Sequence, residues 1–131
     1  MGTLPTTDFM KAFLRLLMSV LFVTAPLASP LRAQTAVVID TQAAQYIGQN
    51  VTVEGVVTAV STSQKGNAFI NFGGAYPNQR FTGWIPTGTP LASYTSLQLL
   101  KGKKIKITGR IELYRGKPEI RVLSKSQIAE E

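Results

Sequence analysis

The chain has 131 residues, a formal net charge of +7, no histidine and no cysteine. That composition removes the imidazole base, the thiolate nucleophile, the ordinary zinc site and the disulfide staple. The length allows one core once a targeting segment is subtracted, and the basic balance suits nucleic acid, lipid head groups or an acidic polysaccharide, or a soluble basic surface with no ligand.

Lys11 and Arg15 are the only charges around an apolar run from Leu16 to Ala25, which Pro26 breaks before Ala28-Ser29-Pro30-Leu31-Arg32-Ala33. A basic start, a short apolar middle and a small residue at the end predict a secretory signal peptide over 1–33. Met10-Lys11-Ala12-Phe13 makes a more natural start for it than Met1, and cleavage after Ala28 is the alternative to Ala33. The run is shorter than the about 20 apolar residues of a membrane helix. An uncleaved N-terminal anchor is the competing reading. The remainder, 34–131, is expected to be a single periplasmic or secreted domain without a membrane span.

Gln34 to Val38 reads as a loose N-terminus, followed by a short helix from Thr41 to Ile47 that Asp40 caps and Gly48 ends. Val51 to Glu54 alternates as a strand and continues from Val56 to Val60. The intervening Gly55 predicts a bulge or bend. After the polar turn Ser61 to Gly66 come a second strand, Asn67 to Phe72, a Gly/Pro connection, and a third strand, Arg80 to Ile85. Thr89 before Pro90 marks a helix start, and Leu91, Tyr94 and Leu97 carry that helix to about Leu99. Lys103 to Leu113 is the clearest strand: Ile105, Ile107, Ile111 and Leu113 share one face, and Lys104, Lys106, Thr108, Arg110 and Glu112 the other. Glu119 to Leu123 is the last strand. A four-residue loop, Arg115 to Pro118, is expected before it, because that register sets Glu112 opposite Arg121 and keeps Pro118 out of the ladder.

Three strands, a helix and two strands, preceded by a short helix, is the order of the all-β OB-fold, a five-stranded Greek-key barrel with a short helix between strands 3 and 4. Three phrases carry a resemblance as well: Tyr46 to Val56, Phe69 to Thr82 with its Tyr76-Pro77-Asn78-Gln79 turn, and Tyr114-Arg115-Gly116-Lys117-Pro118-Glu119-Ile120. Over about residues 44–128 the chain resembles a bacterial family of exported OB-fold domains. The resemblance implies the same barrel and an association with nucleic acid.

In OB-folds the ligand lies on the face of strands 2 and 3, flanked by the loops after strands 1 and 4. Those loops carry Lys65 and Lys117 here. Trp84 is expected to point outward with Arg80 and Thr82 as a stacking surface, the alternative being cover by the N-terminal helix or a partner subunit. Asn71 offers an amide to a ligand or to local backbone. Tyr76 either stacks a ring or covers the barrel's end, and Arg115 contacts phosphate or is a solvated turn. Six bases between Lys101 and Arg115 offer a further phosphate track or a plain charged face. The carboxylates Asp40, Glu54, Glu112 and Glu119 are scattered and no Walker-type loop is present, so a binding module with no cofactor or metal is expected rather than an enzyme. The expected ligand is single-stranded nucleic acid or another polyanion; an envelope protein or glycan is the alternative.

Overall fold

The computed structural model describes residues 35–93 and 95–131. The signal peptide read over 1–33, its alternative start at Met10, and Tyr94 lie outside the described residues. Among the described residues no helix is long and apolar enough to cross a membrane.

Alternating apolar residues form a seven-stranded sheet: β1 (Val37–Ile39), β2 (Asn50–Thr62), β3 (Ala68–Phe72), β4 (Phe81–Ile85), β5 (Lys104–Tyr114), β6 (Lys117–Arg121) and β7 (Ile128–Glu130). The long β2 serves two partners. Its first half, Asn50–Val56, pairs antiparallel with β5, and from Val57 onward it pairs with β3. β3 pairs with β4, β4 runs parallel to β6, and β6 returns to β5. Five strands therefore close into a ring, with β1 added parallel to β2 and β7 antiparallel to β5. The helical connection expected between β4 and β5 is two 3-10 segments, Pro90–Ser93 and Thr95–Leu100, which bury Leu91, Leu97 and Leu100.

The interior is filled by large side chains set against glycines. Val51, Val53, Val57, Ile70, Phe72, Phe81, Ile85, Ile105, Ile107, Ile111, Ile120 and Val122 are almost wholly buried. Gly55, Gly83 and Gly109 occupy inward positions on β2, β4 and β5. A Cβ on Gly55 would lie 2.7 Å from the Phe72 ring, one on Gly83 2.6 Å from Ile107 Cδ1, and one on Gly109 2.5 Å from Ile120 Cγ2. A small closed sheet has no room for a full layer of large residues, and alternating small with large solves the problem. Gly55 also lies just before β2 changes partner. The register runs evenly through Gly55, and the irregularity expected there falls between Val57 and Ala59.

Several expectations are corrected. Residues 37–39 are a strand rather than a loose terminus, with Val38 buried and Thr52 N–H bonded to the Ala36 carbonyl at 2.8 Å. The first helix is a 3-10 segment, Asp40–Tyr46, in which Asp40 is the first residue and the Ile39 N-cap makes no side-chain bond. The Thr89 hydroxyl donates back to the Pro86 carbonyl at 2.6 Å instead of capping the following turn. The segment after β6, Lys125–Gln127, carries a Ser124/Gln127 capping box.

The last hairpin takes the register that charge alone argued against. Tyr114 faces Lys117, Leu113 faces Pro118, and Glu112 faces Glu119. Turn chemistry decides it. Arg115 and Gly116 have φ of +50° and +77°, the two positive values of a two-residue primed turn, whose twist matches the strands. That turn makes Tyr114/Lys117 a hydrogen-bonded pair and Leu113/Pro118 a non-bonded one, so Pro118 owes β5 no donor. Arg110 and Arg121 do not face each other in this register, because the ladder ends at Ile111/Ile120. Arg110 pairs with Asn50 and Arg121 with Trp84.

Candidate functional site

The registers set outward side chains in cross-strand rows. One row runs Ser61, Phe69, Trp84, Arg121; the next runs Ala59, Asn71, Thr82, Glu119, Glu112. Alternation puts these residues outside, because their neighbours Ile70, Phe81, Ile85 and Ile120 fill the core. Ser61, Phe69, Asn71, Thr82 and Glu119 of these rows, together with residues of the β3–β4 connection and the β5–β6 turn, line a cleft of about 420 Å³. Phe69, Tyr76 and Tyr114 are its aromatic walls. Asn71, Gln79, Thr82 and Glu119 supply polar groups, and Arg115 and Ser61–Ser63 lie at its margin. A smaller recess of about 150 Å³ adjoins it, lined by Asn67, Phe69, Trp84, Tyr114 and Glu119.

The walls are held by specific bonds. The Thr82 hydroxyl donates to Asn71 Oδ1 at 2.9 Å, so the buried Asn71 side chain bonds its cross-strand neighbour rather than local backbone. The Thr58 hydroxyl accepts from Gly74 N–H at 3.0 Å and donates to the Asn71 and Gly74 carbonyls, pinning the Gly73-Gly74 loop. Tyr76 precedes a cis peptide bond to Pro77 and stands 64% exposed, its hydroxyl accepting from Arg115 Nη1 at 3.4 Å. The Arg115 guanidinium also lies 5.3 Å over the Tyr114 ring. Lys117 Nζ donates to the Gln79 carbonyl at 2.9 Å, tying the β5–β6 turn to the β3–β4 connection. Gln79 is only 8% exposed, and its Oε1 has no hydrogen-bond partner among the described residues.

Of the residues singled out in the sequence, Asn71, Tyr76 and Arg115 come together in the cleft and Trp84 lines its neighbour. Lys117 braces the wall from behind. Lys65 sits exposed in the β2–β3 turn and Arg80 turns toward Asp40, 4.0 Å away; neither lines the cleft. The arginine beside Trp84 is Arg121, whose guanidinium lies 4.8 Å over the indole, so Trp84 is half-buried under a side chain rather than under the N-terminal helix. The lysine-rich face of β5 is largely spent on internal pairs. Lys103 meets Glu130, Lys104 meets Glu54 and Glu131, and Lys106 meets Glu131. The hydrogen bond that Lys104 donates to Glu54 raises the Lys104 pKa, and the one that Lys106 donates to Glu131 lowers that of Glu131. Phe69, Gln79, Thr82, Tyr114, Glu119 and Arg121 went unnamed as site residues; the alternation that marks Trp84 also marks most of them once the hairpin register is right. Among the described residues no cluster of three or more Asp and Glu side chains is arranged to hold a metal ion.

Glu119 is the electrostatic anomaly of the face. Burial raises its pKa above the ordinary carboxylate value, Glu112 adds to the effect, and Arg121 opposes it. A raised folded-state pKa means the native protein holds this proton more tightly than the unfolded chain. The contribution to stability is then full below the ordinary Glu value of about 4.3 and is lost as pH rises through the raised one. Glu119→Gln is therefore expected to melt higher than the parent at pH 7 and close to it at pH 3. Thermal melts across that range check it, and a difference independent of pH would refute it. Glu131, whose pKa is lowered, acts in the opposite sense in both proteins and cancels from the comparison.

No family model matches the sequence, and no curated protein matches it. Among solved structures, the OBody AM1L10 bound to hen egg-white lysozyme is 18% identical with a TM-score of 0.48, over 66% of this chain and 83% of that one. The OBody AM2EP06, bound to the same lysozyme, is 13% identical with a TM-score of 0.44, over 72% and 90% of the two chains. An aspartyl-tRNA synthetase from Entamoeba histolytica is 16% identical with a TM-score of 0.47. It is matched over 80% of this chain, which spans 23% of the synthetase.

Proposed function

We propose that the five-strand ring is an OB-fold Greek-key barrel, exported by the segment 1–33, and that its outer β3–β4–β6 face binds single-stranded nucleic acid without catalysis. The observation that carries this reading is the grouping of Phe69, Tyr76, Tyr114 and Trp84 around Asn71, Thr82 and Glu119, with Arg115 and Arg121 beside them. Planar rings suit unstacked bases, the amide, hydroxyl and carboxylate suit base edges, and the guanidinium groups suit phosphates. The partner implied is a short polyanion, since the cations near the cleft are few.

Stacking on an aromatic is worth roughly 1–3 kcal/mol per base. Trp84→Ala is therefore expected to weaken binding of a short oligothymidylate about tenfold to a hundredfold, read by tyrosine fluorescence or calorimetry. With two cations (Arg115 and Arg121) meeting phosphates, the log–log salt slope is expected to be about −1.4. Unchanged affinity in the variant removes the central claim.

The ion pairing of Lys103, Lys104 and Lys106 favours a second reading, an envelope protein or glycan partner, because it leaves the barrel a weaker positive field than its composition implies. Binding to such a partner would be insensitive to salt, and oligonucleotides would have no effect.

A further inference from the structure

The cleft is lined by hydroxyl, amide, carboxylate and guanidinium groups, and this inference rests on the nucleic-acid reading above. Two of them are acceptors with little internal use. Gln79 lines the cleft, and its Oε1 is buried with no hydrogen-bond partner among the described residues. A buried acceptor left unpaired costs free energy and calls for an explanation. Glu119 lies on the cleft floor, half-buried, reaches the adjoining aromatic recess, and is set opposite a second carboxylate, Glu112. A face that merely tracked phosphates would not place a carboxylate in its aromatic cleft with a second one beside it. Donors lie at the rim: Arg115 beside Tyr76 and Tyr114, and the amide end of Asn71, whose oxygen is committed to Thr82.

The four bases differ in what they offer such a floor. Guanine alone presents two adjacent N–H donors, N1–H and the N2 amine, on one edge, matching the two oxygens of a carboxylate, with O6 beside them to accept. Adenine and cytosine each offer one amine next to an unprotonated ring nitrogen that repels a carboxylate. Thymine and uracil offer one N–H between two carbonyl oxygens. We infer that the cleft is a guanine-selective base pocket, with Glu119 receiving the N1–H and N2 amine beside Gln79, and Phe69 and Tyr114 the ring faces.

The test is titration of the domain 34–131 with pentathymidylate carrying one central guanine, inosine, adenine or cytosine, at fixed low salt. The guanine oligomer is expected to bind at least about tenfold tighter than the adenine and cytosine ones, the scale of one good bidentate pair. Inosine, which lacks the N2 amine, should fall between. Glu119→Gln, near in shape, should reduce the guanine-to-adenine ratio to within about threefold, while Lys65→Ala, outside the cleft, should leave the ratio intact. Equal affinity for all four oligomers overturns base selectivity and leaves the nucleic-acid reading standing. No binding by any oligomer overturns both.

Discussion

Phe72→Ala is expected to destabilise the domain by about 3–5 kcal/mol, the range for a fully buried aromatic truncated in a core. Phe72 has no exposure, its ring centroid lies 5.3 Å from that of Phe81, and it fills the space where Gly55 has no Cβ. The glycine cannot swing in to close the cavity, because it has no side chain to move. Total stability of a small domain is about 5–15 kcal/mol, so the variant is left with a small margin. A lower urea midpoint with an unchanged slope checks the prediction. A loss under about 1 kcal/mol would show that the ring is not the wedge at the β2 corner.

The second large effect is a coupling. Gly83→Ala puts a methyl 2.6 Å from Ile107 Cδ1, a separation that demands movement, and Val122 and Ile70 stand 3.6 and 3.7 Å away on either side. Overpacking of this kind costs about 1–3 kcal/mol. Ile107→Val removes the Cδ1 atom and by itself costs about 0.5–1.5 kcal/mol. Made together, the two changes are expected to cost at least about 1 kcal/mol less than the sum of the separate ones, since the second deletes the atom that the first collides with. Denaturation of the four proteins of the cycle decides it, and strict additivity would show that β4 relieves the clash by shifting its backbone.

Much of this architecture is legible in the chain itself. Val51, Val53 and Val57, and Ile105, Ile107 and Ile111, recur at a spacing of two or a multiple of it, and burial follows that spacing. Gly55 and Gly109 announce close approach, though which side chain fills each gap depends on pairings far along the chain. The hairpin register is not legible from charge alone, because the two-residue turn that Gly116 favours and Arg115 tolerates at positive φ outweighs the like-charge pair. The cost of that pair is spread by a raised Glu119 pKa and by Arg121. The register expected from charge also hides the Arg121–Trp84 stack, since it sets Arg121 opposite Glu112. β1 and β7 are three residues each, too short for alternation to show. The Ser124/Gln127 box was readable, and its Gln127 side chain does more than cap: it bonds the Thr108 and Arg121 carbonyls and the Leu123 and Ser124 N–H groups.

The double partnership of β2 also governs the order in which the domain can be made. Its second half finds β3 within a few residues, but its first half waits for β5, so that residue 50 meets residue 110. Contacts so distant in sequence slow folding, because loop closure is costly before the pairing rewards it. A growing chain that has not yet released Lys104–Tyr114 carries a β2 whose inner half has no antiparallel neighbour, an open edge rich in valine. The ring closes only once β5 and β6 have emerged, and until then the hazard for this protein is association with other chains through that edge.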